Sequence, residues 1–120
     1  MHEVLISLAA NCDHKKNLCE ARRRLAQVLC SSCYTPEIWT DPVGDATGKY
    51  LNQLVKGNTD LDSDTLQVTL KQMELDMGRT PADRRQGIVR IDLDLLEYNG
   101  CRYHQRDWDR PYVSNLLQYL

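Results

Sequence analysis

Val4, Ile6 and Leu8 recur at every second position, which predicts a strand over residues 3–9. The period then lengthens. Leu18, Ala21, Leu25 and Val28 or Leu29 are spaced as on one helical face. A helix capped by Asp13 is expected to about residue 29, with Arg22, Arg23 and Arg24 partly solvated. Tyr34, Ile38, Trp39 and Thr40 mark residues 31–40 as a second strand. Residues 41–48 carry the Pro and Gly of a loop, and 50–55 form a third strand. Leu66, Leu70, Met73 and Met77 give a second helix its apolar face. Asp64 with Gln67 resembles a capping box at its start, and Gly78 stands where a C-terminal cap belongs. A charged loop over 79–87 leads to a fourth strand over 88–98. Asn99-Gly100 is a two-residue hairpin signal that sends a short strand back through 101–103. A last helix is expected within 112–120.

The order β-α-β-β-α-β, with a hairpin and a short C-terminal helix, predicts an α+β fold, the ferredoxin-like sandwich. In it two helices pack on one face of an antiparallel sheet. That fold hosts many functions, so function has to come from the site.

Composition narrows the picture. The 120 residues, 42% hydrophobic and 27% charged, are expected to make a single domain over 1–120. Mean hydropathy is −0.55, and no apolar run approaches the ~18 residues of a membrane helix. The first ten residues lack a basic stretch and read as a strand rather than a secretion signal. Fifteen basic against seventeen acidic residues leave a net charge of −2, which argues against a strongly basic nucleic-acid binder. Locally, Arg79, Arg84, Arg85 and Arg90 crowd together, and such a cluster can bind phosphate while the whole chain stays near neutral. The odd count of five cysteines fits reduced thiols in the cytoplasm. Cys30-Ser31-Ser32-Cys33 closes a helix rather than opening one, and no second pair completes a zinc site. The cysteines are expected to be small buried apolar side chains.

Residues 89–96 carry the most informative pattern. On a strand, Val89, Ile91, Leu93 and Leu95 would share the core face, and Arg90, Asp92 and Asp94 the other. Carboxylates at i and i+2 have Cα atoms about 6.5–7 Å apart and raise each other's pKa unless a cation relieves them. Mg²⁺ suits such a pair, because it takes one or two protein carboxylates and completes its shell with water and phosphate oxygens. A solvated outer strand face is the plain alternative. The arginines just upstream favour the ligand reading, since metal carboxylates beside anion-binding arginines are the two halves of a nucleoside triphosphate site. Tyr50 and Asn52 share another strand face. An aromatic plane beside an amide suits a flat heterocycle, although a core tyrosine and a turn asparagine fit the same residues.

Taken in order, these segments resemble the 6-hydroxymethyl-7,8-dihydropterin pyrophosphokinase family over nearly the whole chain, as a short, divergent member. Arg90-Ile91-Asp92-Leu93-Asp94 is close to the family's Arg-x-(Ile/Leu)-Asp-(Ile/Leu)-Asp and is the most specific element. Thr40-Asp41-Pro42-Val43-Gly44 and Tyr50-Leu51-Asn52 look like its Thr-Pro-Pro-(apolar)-Gly and Tyr-(apolar)-Asn. Gly78-Arg79 looks like its Gly-Arg, and Arg110-Pro111-Tyr112 like its Arg-Gly-Phe. Asn11 is retained from the family's Gly-Ser-Asn ending of the first strand.

The resemblance implies a cytoplasmic pyrophosphokinase of folate biosynthesis that transfers pyrophosphate from ATP to the pterin hydroxymethyl group and releases AMP. Asp92 and Asp94 would hold two Mg²⁺ ions, and Arg79 and Arg90 would bind phosphates and stabilise the transferring group. Tyr50, Asn52 and Tyr112 would contact the pterin, with the backbone of Thr40 and Val43 reading its edge. Arg110 and His104 would reach ATP, which enters as co-substrate. The expected partners are small molecules, with neither nucleic acid nor membrane, on a monomer. A non-catalytic relative that binds a pterin or nucleotide is the alternative. A single-stranded RNA module is disfavoured, because it needs exposed aromatics among basic residues where this chain has Asp92 and Asp94.

Overall fold

The computed structural model describes residues 1–42 and 48–120. Val43 and its neighbours to Thr47 lie outside the described residues. The elements run β1 (His2–Ala10), α1 (His14–Leu25), β2 (Ser31–Tyr34), β3 (Ile38–Thr40), β4 (Tyr50–Thr59), α2 (Ser63–Asp76), α3 (Pro81–Arg85), β5 (Asp92–Tyr98), β6 (Cys101–Arg102), α4 (Gln105–Trp108) and α5 (Pro111–Leu117). All pairings are antiparallel, in the order β2-β4-β1-β5-β6 with β3 also on β4. This is the expected ferredoxin-like sandwich. Ile6, Leu8, Leu93 and Leu95 pack beneath α1 and α2, against Leu18, Leu25, Leu66 and Leu70.

Four local expectations change. The second strand breaks in two at Pro36, which has no N–H for the ladder. At the break Thr35 bonds through its main chain and hydroxyl to Leu54, and its carbonyl accepts from the Gln53 side chain. The cap of α2 is Asp62, whose Oδ1 accepts the Thr65 N–H at 2.7 Å, rather than Asp64. The charged loop contains α3, opened by a capping box between Thr80 and Asp83 with Pro81 at its first position. The fourth strand begins at Asp92, not residue 88, so Arg90 precedes it. The cysteines also differ from expectation: Cys19, Cys30, Cys33 and Cys101 are exposed, because they fall on solvent-facing positions.

The sheet is covered on both faces, where the sequence reading placed helices on one. In β5, Leu96 is an extra residue at a bulge opposite Leu5 and Ile6. Its carbonyl accepts the Tyr103 N–H at 2.9 Å and the Trp108 indole N–H at 3.1 Å. These bonds anchor α4, and α5 then lays Val113 and Leu116 on Leu5, Leu54 and Leu96. The Asn99-Gly100 turn has positive φ at both residues, as a type I′ hairpin demands. Among the described residues no helix is long and apolar enough to cross a membrane.

Gly57 in β4 is sterically required. A Cβ there would collide with the Ser31 carbonyl where β2 enters the sheet. Gly57→Ala should therefore cost about 1–3 kcal/mol, as overpacking does, read as a lower thermal midpoint.

Candidate active site

The second sheet face has two halves. Residues alternate along each strand, so Leu96, Asp94 and Asp92 share this face with Leu5, Ser7 and Ala9 of β1 and with Leu54, Asn52 and Tyr50 of β4. The leucines lie under α5. Beyond its edge the face is polar and open, and there a pocket of about 140 Å³ forms. Register sets Asp94 beside Ser7 and Asp92 beside Ala9, with Asn52 next to Ala9 on the other side. Ser7 and Ala9 are small, and so the floor between the carboxylates and Asn52 stays clear. Arg110, Asp107 and Tyr112 come from the C-terminal segment to line the same pocket.

Asp92 and Asp94 project from a strand whose outer edge is uncovered at this point, since β6 pairs only with Glu97 and Tyr98. Helix α2 supplies the missing neighbour. Glu74, 2% exposed, accepts the Leu93 N–H at 2.8 Å, while Lys71 donates to the Leu93 carbonyl at 3.0 Å. The two side chains thus satisfy the backbone groups that a further strand would have taken. Glu74 also binds Arg79 at 2.6 Å and Lys71 at 3.0 Å. Lys71 reaches on to Asp94 at 3.0 Å and lies 3.9 Å from Asp92. Burial works against the Lys71 ammonium, but Asp94 and Glu74 outweigh it and raise its pKa. The His104 Nε2 lies 3.8 Å from Asp94.

At the other end, Asn52 donates to the Ile38 carbonyl at 3.1 Å and to the Thr40 hydroxyl at 2.8 Å. These bonds hold a nearly buried amide at the pocket wall. Burial and the Asp92 charge raise the Tyr50 hydroxyl pKa, opposed by Arg110 and Arg79. The Tyr112 hydroxyl is pushed up to about 12 by burial and then by Asp107. Both phenols stay neutral near pH 7 and offer a donor and a ring face. Arg110 is tethered to Asp107 at 3.3 Å.

Most sequence-derived candidates therefore converge: Thr40, Tyr50, Asn52, Asp92, Asp94, Arg110 and Tyr112 line one pocket, His104 lies 3.8 Å from Asp94, and Arg79, outside the lining, is held on Glu74. Val43 is outside the described residues. Arg90 does not share the carboxylate face, which is a correction. It precedes β5, and its guanidinium binds Asp83 at 2.8 Å, over the α1–α2 side near Gly78. The Asp83 carboxylate that completes the α3 capping box draws it there. Glu74, Lys71, Ser7, Ala9 and Asp107 escaped the sequence reading. For Glu74 a signal existed: it follows Leu70 by four and precedes Met77 by three, a carboxylate inside an apolar helical stripe.

The donor set fits Mg²⁺. Among the described residues no cluster of three or more His, Cys, Asp or Glu side chains could hold a metal, so an all-protein cage is not what is built. Two adjacent carboxylates facing an open pocket match an ion that keeps water and phosphate ligands. The Asp92 carboxyl is pushed up to about 7, by burial first and then by the Asp94 charge. This is the electrostatic demand that a cation would relieve. A raised carboxyl pKa contributes stability that is full below about 4 and is lost as pH rises through about 7. The Asp92 side chain is 40% exposed, so the effect is discounted for solvent screening. Asp92→Asn should raise the metal-free melting midpoint at pH 8 by about 4 °C, and the gain should vanish by pH 4.

The chain matches the family model described as 7,8-dihydro-6-hydroxymethylpterin-pyrophosphokinase over residues 5–120. It is 31% identical over 125 residues to a folate synthesis bifunctional protein of Arabidopsis thaliana, covering 92% of this chain and 25% of that one. A second Arabidopsis thaliana protein, named folate synthesis bifunctional protein, mitochondrial, is 32% identical, covering 93% of this chain and 22% of its own. A mitochondrial folate synthesis bifunctional protein of Pisum sativum is 38% identical over 80 residues, 60% of this chain and 15% of its own. The chain spans about a quarter of the length of the first of these curated relatives. With the fold, the pocket and a family match over nearly its whole length in agreement, the chain belongs to the 7,8-dihydro-6-hydroxymethylpterin-pyrophosphokinase family.

Proposed function

We propose that this domain transfers pyrophosphate from ATP to the hydroxymethyl group of 6-hydroxymethyl-7,8-dihydropterin, a pyrophosphokinase step of folate biosynthesis. The observation that carries the reading is one pocket holding the Asp92–Asp94 pair at one end and Tyr50, Asn52 and Tyr112 at the other. The pterin ring lies between the two phenols. The Asn52 amide and the main chain at Thr40 read the ring's edge. Its hydroxymethyl oxygen is thereby aimed toward the carboxylates.

Asp92 and Asp94 would hold Mg²⁺, two ions on this reading, which would supply charge neutralisation to the triphosphate. Arg79, held by Glu74, and Arg110, held by Asp107, bind phosphate oxygens, with His104 as a further ATP contact. Arg90 joins them only by leaving Asp83. The pterin oxygen forms a bond to the β-phosphorus, the bond from that phosphorus to the α-bridging oxygen breaks, and AMP departs. The hydroxyl proton is released to solvent. Positioning supplies most of the acceleration, as is usual for phosphoryl chemistry.

A monomer is the proposed assembly state. The exposed thiols fit a reducing compartment, and the cytoplasm is the proposed location. The Arg90–Asp83 pair favours a second reading, a relative that binds pterin or nucleotide without transfer.

The test is AMP release from ATP and Mg²⁺ with and without 6-hydroxymethyl-7,8-dihydropterin, beside Asp92→Ala. Pterin-dependent AMP that disappears in the variant supports transfer. Saturable pterin or ATP binding without AMP supports the second reading.

A further inference from the structure

Lys71 occupies an unusual place. It stands on α2, on the far side of the sheet from the pocket, and reaches around the open edge of β5. Its three ammonium donors meet three acceptors, each at 3.0 Å: Glu74 Oε2, the Leu93 carbonyl and Asp94 Oδ1. An ammonium has three N–H groups, so its capacity is filled. Asp92 Oδ1 stands 3.9 Å away. Of the described cations paired with this carboxylate pair, Lys71 is the nearer; the other, His104, is 3.8 Å from Asp94 and carries charge only when protonated.

Edge-capping alone does not account for this. Covering the edge of β5 needs a donor for the Leu93 carbonyl, and a neutral amide could provide one. The ammonium also places a full positive charge on an oxygen of the metal pair. We infer that Lys71 is a positioning residue that serves as a built-in counter-cation, orienting Asp94 and competing with divalent metal for it. The inference rests on the reading of Asp92 and Asp94 as metal carboxylates. The lysine keeps the two carboxylates from repelling each other out of line before metal arrives. It also weakens metal binding in the absence of nucleotide, because a cation at Asp94 must displace it or sit beside it. Its side chain is 51% exposed, which leaves room to turn away when metal takes the oxygen.

The probe is Mn²⁺ alone, with nucleotide and pterin absent, titrated into wild-type, Lys71→Met and Lys71→Arg proteins at pH 8. Free Mn²⁺ is read by electron paramagnetic resonance, and folding is checked by thermal melting. Removing a unit charge within about 4 Å of both carboxylates should tighten Mn²⁺ binding about tenfold in Lys71→Met. Lys71→Arg, which keeps the charge, should stay within about threefold of wild type. A lysine with a purely structural role would leave Mn²⁺ affinity unchanged or lower it in Lys71→Met, and that result overturns the inference alone. If wild type itself takes up no Mn²⁺ at millimolar concentration, the metal reading fails and takes this inference with it. Should Lys71→Met not fold, Lys71→Gln carries the same expectation, since it restores a donor to Leu93 without the charge.

Discussion

Asp94→Ala should lower pterin-dependent AMP release by about a thousandfold while the protein keeps its melting midpoint within a few degrees. The size follows from the chemistry. Metal-assisted stabilisation of a transferring phosphoryl group supplies several kcal/mol, and about 4 kcal/mol corresponds to three decades of rate. The structural tolerance follows from position. Asp94 faces the pocket rather than the core, and the Ser7 opposite it is small and polar. Its loss frees Lys71, which retains Glu74 and the Leu93 carbonyl. The measurement is initial velocity of AMP formation at saturating Mg²⁺, with circular dichroism melts on the same preparations. A variant that retains a tenth of wild-type activity would remove Asp94 from the metal site. A variant that unfolds would mean its bond to Lys71 is structural.

Glu74→Leu is expected to destabilise the fold by about 3–5 kcal/mol. Replacing a whole buried ion network by apolar groups can be neutral. Replacing one member is not, because the others are left uncompensated. Here the loss leaves the Leu93 N–H without its acceptor and Arg79 without its carboxylate, and takes one of the three acceptors of Lys71. Glu74→Gln keeps an acceptor for Leu93 and should cost about 1–3 kcal/mol. It should also raise the KM for ATP, since Arg79 loses its tether. Urea denaturation with an unchanged slope separates stability from altered compactness. A Leu variant within 1 kcal/mol of wild type would show that the network is too solvated to count. Leu and Gln variants of equal stability would assign the cost to the ion pairs and none to the strand edge.

The elements that sequence periodicity located share a property. Each depends on interactions within a few residues. Strand alternation in Val4–Ile6–Leu8, the Leu66–Leu70–Met73–Met77 stripe, the Gly78 cap and the Asn99-Gly100 turn are all local decisions of sterics and burial. The common face of Asp92 and Asp94 follows from the same rule, since i and i+2 on a strand cannot face apart. The Thr80–Asp83 box of α3 was also local, but the density of charge around it concealed a five-residue helix.

The remaining features turn on partners distant in sequence. Arg90 leaves the carboxylate face because Asp83 meets it first. Trp108 and Tyr103 converge on the bulged Leu96 carbonyl, which brings α5 onto the second face and leaves its other half open as the pocket. Glu74 and Lys71 become site residues only because β6 is too short to cover the edge of β5. By itself, then, the sequence determined the order of elements, the ferredoxin-like sandwich, the carboxylate pair on one strand face and the aromatic and amide on another, because those follow from local period and steric preference. The tertiary structure alone decided which charges answer those carboxylates. An ion pair forms wherever folding brings two groups within reach, and nothing in the local sequence encodes that distance.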